Sequence, residues 1–479
     1  MNWREKALNL LNDSLIPVPS ELNDLDWKAG VSDKSDRLAQ HISAFANHPG
    51  GGVLVFGVNN DGSHFSLNGS AIEDIIKKLG NIAHNNLANP IQIEHAVMDY
   101  EGSTLLFVYI PEQTEKPVHL RGKDIYNSYY RSGGQTLKMS VKQVQILIAQ
   151  CMGISFEERA AKENLSIKAL LDLLDYQTFY KLIDKNIPKS IDAILDNLIE
   201  YGFCYEKNDE WVITNLGAIL FSKDLKHFTS LNGREIIVRI YSGPNNRQLK
   251  HEQRGKFGYA VGFEGLINYI MRNTGEEVIN VKRKINPQYP EIAIREFVAN
   301  ALIHQDFAID GSPITIEIYS NRLVITNPGA TLNNINRLID LPPRSRNEKL
   351  AQTMLLLHLC ERRGSGVDRA IEAVEAMLLP PVKFQNLEDY TRVTLYPQKP
   401  LTDMTKKERI EACYQHACLM WEDNNPINNQ SVRDRFGLNK NQAPTATRIL
   451  ADTMEAGLIK TSDDDFVSRK YSIYVPFYA

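Results

Sequence analysis

The chain has 479 residues, of which 43 % are hydrophobic and 23 % are charged. This length exceeds what one hydrophobic core usually organises, and the composition excludes wholesale disorder, so we expect about three or four folded domains. The formal net charge of −4 excludes a global attraction to polyanions, so any contact with nucleic acid must come from local patches.

The sequence carries no signal for a membrane or for secretion. No apolar run approaches the roughly 18–20 residues of a membrane helix, and residues 1–14 lack the apolar core of a signal peptide. The five cysteines are scattered along the chain, which is typical of a reducing compartment. We therefore expect a cytoplasmic protein. Cys413, His416 and Cys418 have no second ligand pair, so we interpret their segment as an amphipathic helix rather than a zinc site.

The first predicted domain, about residues 1–145, is α+β. Apolar spacing predicts a helix over 33–48, and the glycines at 50–52 end it. A buried strand over 53–58, a hairpin turn over 59–62 and two more strands follow. The two further strands are predicted at 104–110 and 126–131.

A mixed α/β connector is predicted at 150–285, an alternation of helix and strand at 286–395, and a small last domain at 401–479. Within the connector we expect helices at 170–183 and 191–201 and strands at 211–214 and 236–241. Prolines at 380–381, 397 and 400 mark the break before the last domain. The fold class predicted for the whole chain is multidomain α+β.

The helix predicted over 291–304 has polar residues on one stripe. Glu296, Asn300 and His304 lie four residues apart, away from the apolar positions. A carboxylate one turn before a carboxamide suits magnesium–ATP, because the acid can orient or deprotonate water and the amide oxygen can ligate the metal. A solvated helix face is the alternative.

Two glycine turns follow this helix. After strands at 314–319 and 323–326 comes the turn at 327–329, and the segment 363–367 later opens another helix. Glycine lets the backbone approach a ligand closely, and a helix start presents unpaired N–H groups to phosphate.

Four segments together resemble the divergent GHKL (Bergerat) ATPase domain, an α/β sandwich, of bacterial proteins often labelled RecG-like helicases. They are REFVANALIHQDF at 295–307, NPG at 327–329, RSRN at 344–347 and ERRGSGVDR at 361–369.

The resemblance implies ATP and Mg²⁺ as cofactors. It makes Glu296 the catalytic base, Asn300 the metal ligand, Asn327 with Gly329 the adenine-side turn, and 330–350 the lid. Typical members place an aspartate where this chain has Asn327. The remaining residues assigned to the nucleotide are His304, Arg363, Gly364, Ser365 and Gly366.

SELNDLDWK at 20–28 and NHPGGGVLVFGV at 47–58 resemble the Alba-like domain shared by bacterial regulators and Schlafen proteins. In nuclease members, two acids, a lysine and a further acid form a metal-dependent RNA-cleaving site. The resemblance makes Glu21, Asp26 and Lys28 the first three, with Mg²⁺ or Mn²⁺ held by the two acids, while Asn59 takes the fourth position.

An amide is a weaker, neutral ligand than a carboxylate, and Asp61 is the nearest substitute for the missing acid. In the alternative interpretation, Glu21 and Asp26 are a helix cap and a surface acid.

A second group in the first domain combines cations with aromatic rings, a composition that suits a nucleic-acid backbone. Ordinary sheet-core tyrosines are the alternative. The group consists of Arg121, Lys123, Tyr129, Tyr130 and Arg131.

The last domain has helix-turn-helix spacing over 427–438 and 443–459, and a strand at 470–475 would complete a winged helix. Its second helix then presents Asn441, Gln442, Thr445 and Arg448 to DNA. Residues 401–479 hold 10 Lys and Arg against 11 Asp and Glu, whereas DNA-reading domains are usually basic. A protein-contact role is therefore the alternative for this domain.

Together these segments predict an ATP-switched protein that binds DNA or RNA, forms a homo-oligomer and regulates transcription. The main alternative is a Schlafen-like, metal-dependent nuclease that cleaves RNA, tRNA or single-stranded DNA in antiviral defence. A purely structural, ATP-gated assembly protein is a third class.

Overall fold

A computed structural model describes residues 3–16, 19–31, 35–151, 155–279, 283–309, 311–360, 366–462 and 472–479. The chain forms two compact units. Unit 1 comprises Met1–Ser155, Ala330–Asn334 and Asn386–Asp389, and unit 2 comprises Phe156–Gly329, Ile335–Gln385 and Tyr390–Ala479. None of the helices in the described segments combines the length and apolarity needed to cross a membrane.

Unit 1 is an α+β unit. Its helices are α1 (Trp3–Leu15), α2 (Ser35–Asn47), α3 (Gly69–Asn85) and α4 (Val141–Cys151). Its strands are β1 (Leu25–Lys28), β2 (Gly52–Phe56), β3 (Glu94–Tyr100), β4 (Ser103–Ile110), β5 (Tyr129–Ser132) and β6 (Gln135–Lys138). The main sheet has the order β1-β2-β4-β3, in which β1 and β2 run parallel, and β5 pairs with β6 alone.

Strand β2 is buried on both faces because its side chains alternate between two cores. Leu54 and Phe56 join the cluster formed with α2 and α3, while Val53 and Val55 join the cluster formed with α1. The apolar run predicted as a buried strand is confirmed, and it ends at Phe56.

Two predictions in unit 1 need correction or extension. The strand predicted from residue 126 begins at Tyr129, because the Asp124 carboxylate accepts hydrogen bonds from the Tyr126 N–H and the Asn127 amide and holds a turn. The predicted helix over 33–48 appears as α2, and residues 33 and 34 lie outside the described residues. Helix α3 was not predicted.

The first part of unit 2 is a three-stranded sheet with four helices. The strands are β7 (Ala160–Leu165), β8 (Cys204–Lys207) and β9 (Glu210–Thr214), in the order β7-β9-β8. The helices are α5 (Ile167–Leu173), α6 (Tyr176–Leu182), α7 (Ile191–Glu200) and α8 (Asn215–Phe221). The single helix predicted at 170–183 is instead two helices, since the Asp175 carboxylate accepts from the Thr178 N–H and starts α6.

A six-stranded sheet forms the centre of unit 2. Its strands are β10 (Ile237–Tyr241), β11 (Leu249–Arg254), β14 (Thr315–Tyr319), β15 (Arg322–Pro328), β16 (Lys383–Leu387) and β17 (Tyr390–Leu395), while β12 (Glu276–Ile279) and β13 (Arg283–Asn286) form a separate hairpin. The order is β11-β10-β14-β15-β17-β16. Strands β10 and β14 run parallel, whereas β10 with β11, β14 with β15 and β15 with β17 are antiparallel.

Helices cover one face of this sheet. They include α9 (Tyr259–Thr274), α10 (Glu291–Ile303), α11 (Glu348–Leu356) and α12 (Gly366–Ala376). The strands contribute alternate residues such as Val238, Ile316 and Ile325 to the core shared with these helices, as expected from the period of two along a strand.

The last part of unit 2 contains α13 (Lys406–Glu422), α14 (Asn429–Arg435), α15 (Ala443–Glu455), β18 (Ile459–Thr461) and β19 (Tyr474–Pro476). Strands β18 and β19 are antiparallel, and Ile427 forms a further bridge to Tyr474. The strand predicted from residue 470 begins at Tyr474, and residues 470 and 471 lie outside the described residues. The segment holding Cys413, His416 and Cys418 is helical, as predicted.

Candidate nucleotide and nucleic-acid sites

Helix α10 places the predicted carboxylate and carboxamide next to each other. The Asn300 Nδ2 donates to Glu296 Oε1 over 2.8 Å, as the four-residue spacing on a helix requires. Glu296 is only 8 % exposed, so this stripe is not the solvated helix face of the alternative interpretation.

The start of helix α12 lies directly against Glu296. A Cβ built on Gly366 would stand 2.0 Å from Glu296 Oε1, so glycine is required for this approach. The first turn of a helix carries unpaired N–H groups and a partial positive charge. The Glu296 carboxylate therefore occupies a position suited to an anion.

Asp368, in the same turn, lies in acidic surroundings. Burial and the charges of Glu422 and Glu296 together raise the pKa of its carboxyl to about 6. The predicted Arg363, Gly364 and Ser365 lie outside the described residues.

His304 closes α10, and its N–H donates to the Asn300 carbonyl over 2.9 Å. Burial and the charge of Arg346 together lower the pKa of His304 to about 4. The imidazole is therefore neutral at pH 7. Arg346 Nη1 also donates to the His304 carbonyl over 3.3 Å.

The Asn347 amide anchors the segment predicted as a lid. Its Nδ2 donates to the Ile303 and Gln305 carbonyls over 2.7 Å and 2.8 Å. These carbonyls lie at and just beyond the end of α10, where backbone acceptors lack partners within the helix. The RSRN motif in the sequence does not indicate these separate contacts of Arg346 and Asn347.

The predicted adenine-side turn follows β15. Asn327 is 5 % exposed, and its amide donates to the Pro328 carbonyl over 3.3 Å. Gly329 has φ +105, and a Cβ there would stand 3.0 Å from Asp306 Cβ. Only glycine suits this backbone and this close approach. Asp306 is thus the acid beside the turn, which the sequence did not indicate.

The lack of a side chain at Gly366 and Gly329 lets Glu296 and Asp306 approach the backbone closely, and the Asn300 carboxamide lies beside Glu296. This donor set and these glycine approaches fit a nucleotide with a divalent cation.

In unit 1, Glu21, Asp26 and Lys28 also lie together. Lys28 Nζ is 2.6 Å from Asp26 Oδ1 and 3.4 Å from Glu21 Oε1. Asp26 and Lys28 are two residues apart on β1, which places them on one face of the strand. The Asp26 side chain is fully buried, so it is not a surface acid.

Two further side chains contact Asp26. Arg131 Nη1 donates to Asp26 Oδ2 over 2.9 Å, and His41 Nδ1 lies 3.0 Å from the same oxygen. The Arg131 side chain is fully buried. The expectation that Arg131 faces a nucleic-acid backbone does not fit this position, because its guanidinium is enclosed against a carboxylate.

The pKa values of the two carboxyl groups in this cluster are shifted in opposite directions. Burial and the charge of Asp26 raise the pKa of Glu21 to about 7. Burial also opposes ionisation of Asp26, but the His41 hydrogen bond and the charges of Arg131 and Lys28 outweigh it and lower the Asp26 pKa. Burial lowers the pKa of His41. At neutral pH the cluster therefore pairs ionised Asp26 with Arg131 and Lys28, while Glu21 is partly protonated.

The side chains of Asn59 and Asp61 both bind Ser63. The Asn59 amide donates to Ser63 Oγ over 3.0 Å, and Asp61 Oδ1 accepts from the Ser63 N–H and hydroxyl over 3.0 Å and 2.6 Å. Within the described segments, no group of three or more His, Cys, Asp or Glu side chains is arranged to hold a metal.

The remaining residues predicted to bind nucleic acid are mostly at the surface. Arg121 and Lys123 are exposed, and Tyr129 and Tyr130 are half-buried. The Tyr130 hydroxyl donates to Asp389 Oδ1 over 2.9 Å.

Near the start of α15, Asn441, Gln442 and Arg448 are exposed and Thr445 is half-buried. Gln442 Oε1 accepts from the Asn439 N–H over 3.0 Å.

A buried ionic cluster that the sequence did not predict joins α12, α13 and α14. His416 Nδ1 is 2.9 Å from Glu375 Oε2, and Arg435 Nε is 3.1 Å from Glu375 Oε1. The Arg435 side chain is 1 % exposed, and its Nη2 donates to the Leu379 carbonyl over 2.9 Å. No sequence signal indicates this cluster, because its members lie on three different helices.

Two family models match parts of the chain. The model "Schlafen, AlbA_2" matches residues 21–140. The model "Putative ATP-dependent DNA helicase recG C-terminal" matches residues 311–395, which begins after α10. No curated protein matches the chain.

Two solved structures are similar to the chain. The crystal structure of the DIP2311 protein from Corynebacterium diphtheriae is 16 % identical with a TM-score of 0.41, covering 99 % of this chain and 84 % of that one. The N-terminal domain of a RecG-related protein from Nitrosomonas europaea, described as a putative ATP-dependent DNA helicase, is 25 % identical with a TM-score of 0.22. That match covers 28 % of this chain and 93 % of that one.

The domain around Glu21, Asp26 and Lys28 is therefore a Schlafen AlbA_2 domain, and the strands that follow α10 belong to a RecG C-terminal-like ATPase-type domain.

Proposed function

We propose that this protein binds ATP between α10 and α12 and uses nucleotide occupancy to control its binding of DNA, with transcriptional regulation as the leading role. The two matched domain types point to an ATP-related function associated with nucleic acid. The observation that carries the proposal is the pair of contacts made by the two ends of α12. Its first residue, Gly366, lies against Glu296 in the candidate nucleotide site. Near its other end, Glu375 contacts His416 and Arg435 in the last helical region.

Helix α12 has 11 residues, which corresponds to about 16 Å at 1.5 Å per residue. Gly366 lies against Glu296 at its start, and Glu375 binds His416 and Arg435 near its end. A helix is stiff over this length, so a displacement of its first turn also moves the contacts that Glu375 makes with His416 on α13 and Arg435 on α14. When two binding sites are connected by one such element, a ligand at one site can change the affinity of the other site for its ligand.

At the nucleotide site, each residue has a distinct role in the proposal. Bound magnesium–ATP supplies phosphate oxygens and a divalent cation. Asn300 offers its carboxamide oxygen to the cation, and Glu296 orients or deprotonates a water. Since Glu296 lies against the first residue of α12, a phosphate that binds at this helix start would compete with its carboxylate for the position. Nucleotide binding should therefore shift the start of α12 relative to α10.

The three helices and the strand pair of 406–476 are proposed to act as a winged helix with α15 in the major groove. Asn441, Thr445 and Arg448 lie on or near α15 and would contact bases or phosphates. Balanced charge makes one copy a weak binder, so tight binding is proposed to require a homo-oligomer assembled with ATP, because linked modules raise the effective concentration.

Titration of duplex DNA with and without magnesium–ATP tests the proposal. The duplex is first selected from a random pool by the full-length protein. ATP should tighten binding of the parent by about tenfold, which corresponds to a coupling energy of roughly 1.4 kcal/mol, and should leave the Asn300→Ala protein unchanged. If ATP increases DNA affinity equally in the parent and in the Asn300→Ala protein, the site assigned to Asn300 does not control DNA binding.

A metal-dependent nuclease in antiviral defence is the second candidate function. It is favoured because Glu21, Asp26 and Lys28 lie together: Lys28 Nζ is 3.4 Å from Glu21 Oε1 and 2.6 Å from Asp26 Oδ1. In that function Glu21 and Asp26 hold Mg²⁺ or Mn²⁺, and Lys28 stabilises charge on the phosphate. Cleavage of labelled RNA in Mn²⁺ by the parent but not by the Glu21→Ala protein would support it.

A further inference from the structure

A cavity of 360 Å³ lies where the parallel strands β10 and β14 end. Its lining includes Tyr241 and Tyr319 at the strand ends, Lys250 on β11, Asn273 in the last turn of α9, and Gln288. Sites at the carboxyl ends of parallel strands commonly bind ligands, and small-ligand pockets begin at about 300 Å³. The carboxyl ends of these two strands thus offer a cavity large enough for a small ligand.

This cavity is separate from the candidate nucleotide site. Strands β14 and β15 are antiparallel, with Tyr319 opposite Arg322 at one end and Thr315 opposite Thr326 at the other. The cavity lies at the Tyr319 end, whereas Gly329 follows the Thr326 end. The two sites are therefore at opposite ends of the same strands.

An aromatic row crosses the sheet beside the cavity. The rings of Tyr241 and Tyr319 are stacked, with centroids 4.7 Å apart and an interplanar angle of 14°. The Arg322 guanidinium carbon is 3.9 Å from the Tyr319 ring centroid. Arg322, Tyr319 and Tyr241 lie on the neighbouring strands β15, β14 and β10. Both faces of Tyr319 are therefore occupied, and the row continues past Tyr241 toward β11.

On the β11 side the row is interrupted. Leu249 is the residue opposite Tyr241. The pairing register shifts between Ile240 and Tyr241, and this irregularity leaves Lys250 without a cross-strand partner. Leu249 is 51 % exposed and Lys250 is exposed. The next place in the aromatic row is thus bordered by an exposed leucine and a lysine.

The charge around this place favours an anion. Glu252, the acid on β11, is already paired with Arg239 and Arg254. No carboxylate occurs among the described residues that line the cavity, which otherwise offers amide, hydroxyl and ammonium groups. Glu317 lies nearby, and its Oε1 accepts a hydrogen bond from the Tyr241 hydroxyl over 3.1 Å, so this carboxylate is paired as well. An anionic group at Lys250 would therefore meet a cation in a cavity whose described lining holds no carboxylate.

We propose that this cavity binds a nucleobase with its attached phosphate. The base extends the row beside Tyr241, the amides of Asn273 and Gln288 meet its polar edge, and Lys250 pairs with the phosphate. Strands lie about 4.8 Å apart, so a ring beside Tyr241 has nearly the spacing of the existing tyrosine pair. Stacking on aromatic side chains combined with a cation is a general way to hold nucleotides. The source is either a free nucleotide or an unpaired nucleotide of a strand.

Calorimetric titration of the full-length protein with uridine monophosphate and with an eight-residue oligouridylate tests this site. EDTA removes divalent metal, which suppresses cleavage, and uracil avoids the adenine-side turn. Tyr241→Leu removes the ring, Tyr241→Phe keeps it, and Lys250→Gln removes the cation. Lys226→Gln is the matched control, since Lys226 is exposed elsewhere in unit 2.

We expect Tyr241→Leu to weaken binding about tenfold, and Lys250→Gln to weaken it and to reduce the slope of log affinity against log salt for the oligouridylate by about 0.7. Tyr241→Phe and Lys226→Gln should bind like the parent. Saturation by the mononucleotide identifies a free nucleotide as the source, and binding of the oligouridylate alone identifies a strand.

Two results would overturn the proposal. One is that neither probe binds the parent at millimolar concentration. The other is that Lys250→Gln and Lys226→Gln bind equally well with equal salt slopes. The lysine pair keeps the test valid if Tyr241→Leu fails to fold, because both lysines are exposed.

Discussion

The Glu375 carboxylate on α12 and the Arg435 guanidinium on α14 form an ion pair with 3.1 Å between Oε1 and Nε. Burial lowers the pKa of Arg435, and the charge of Glu375 opposes this shift. Removing one partner of a buried pair leaves the other charge uncompensated, at a cost of roughly 3–5 kcal/mol. This pair therefore fixes the end of α12 to the helical region proposed to contact DNA.

The first prediction separates binding from hydrolysis at α10. Asn300→Ala should weaken magnesium–ATP binding at least about tenfold, because the carboxamide is the proposed metal ligand. Glu296→Gln should retain binding and lose hydrolysis. Calorimetry and phosphate release measure the two. Glu291→Gln, an exposed change on the same helix, is the control, and unchanged affinity of the Asn300 variant would show that the site is misassigned.

The positions of Glu296 and Asn300 could be predicted because helical periodicity alone sets residues four apart on one stripe. The pair Asp26 and Lys28 could likewise be placed on one face of a strand. The Arg131 contact to Asp26 spans 105 residues, and local patterns do not specify such a pairing. Composition alone therefore indicates a nucleic-acid contact for Arg131 and its neighbouring tyrosines, and does not indicate the pairing of Arg131 with Asp26. Asp306 beside Gly329 was missed for the same reason, since a turn and a helix end meet there only in the fold.

The second prediction concerns Gly366. Gly366→Ala places a Cβ 2.0 Å from Glu296 Oε1, so the Glu296 carboxylate must turn away from the start of α12 or the helices must separate, at a cost of about 1–3 kcal/mol. Magnesium–ATP binding should fall as well. Gly265→Ala on α9 is the matched control, because nothing lies within 4 Å of its Cβ, and it should be neutral or slightly stabilising. Thermal unfolding compares the two proteins, and equal midpoints would contradict the close approach.

The third prediction is a pH dependence caused by Glu21. The pKa of Glu21 is raised from 4.5 to about 7, so the folded protein retains a proton that the unfolded chain releases. Its contribution to stability is therefore greatest below pH 4.5 and is lost as the pH rises to about 7. Glu21→Gln should gain stability relative to the parent at pH 8 but not at pH 4.5.

Unfolding midpoints at the two pH values measure this difference. Glu5→Gln, at an exposed position of α1, should follow the parent at both. A Glu21→Gln protein whose difference from the parent is the same at pH 4.5 and pH 8 would rule out the raised pKa.

The fourth prediction tests the nuclease alternative. If Glu21 and Asp26 hold a metal, Asn59→Asp adds a third carboxylate and should raise RNA cleavage above the low activity of the parent, whereas Glu21→Ala should abolish it. In a domain that only binds nucleic acid, the added charge should instead weaken binding. A gel assay in Mn²⁺ compares the three proteins, and absence of cleavage by all three would eliminate the nuclease function.

The coupling through α12 is tested most directly by the effect of magnesium–ATP on DNA affinity in the Glu375→Gln protein. Gln removes the charge that pairs with Arg435 but leaves the Gly366 end of the helix intact. Glu372→Gln, an exposed change on the same helix, is the matched control. Calorimetry should first show parental ATP affinity in both variants. The account predicts that ATP tightens DNA binding about tenfold in the parent and the control and less than about twofold in Glu375→Gln. Full tightening in a folded, ATP-binding Glu375→Gln protein would contradict it.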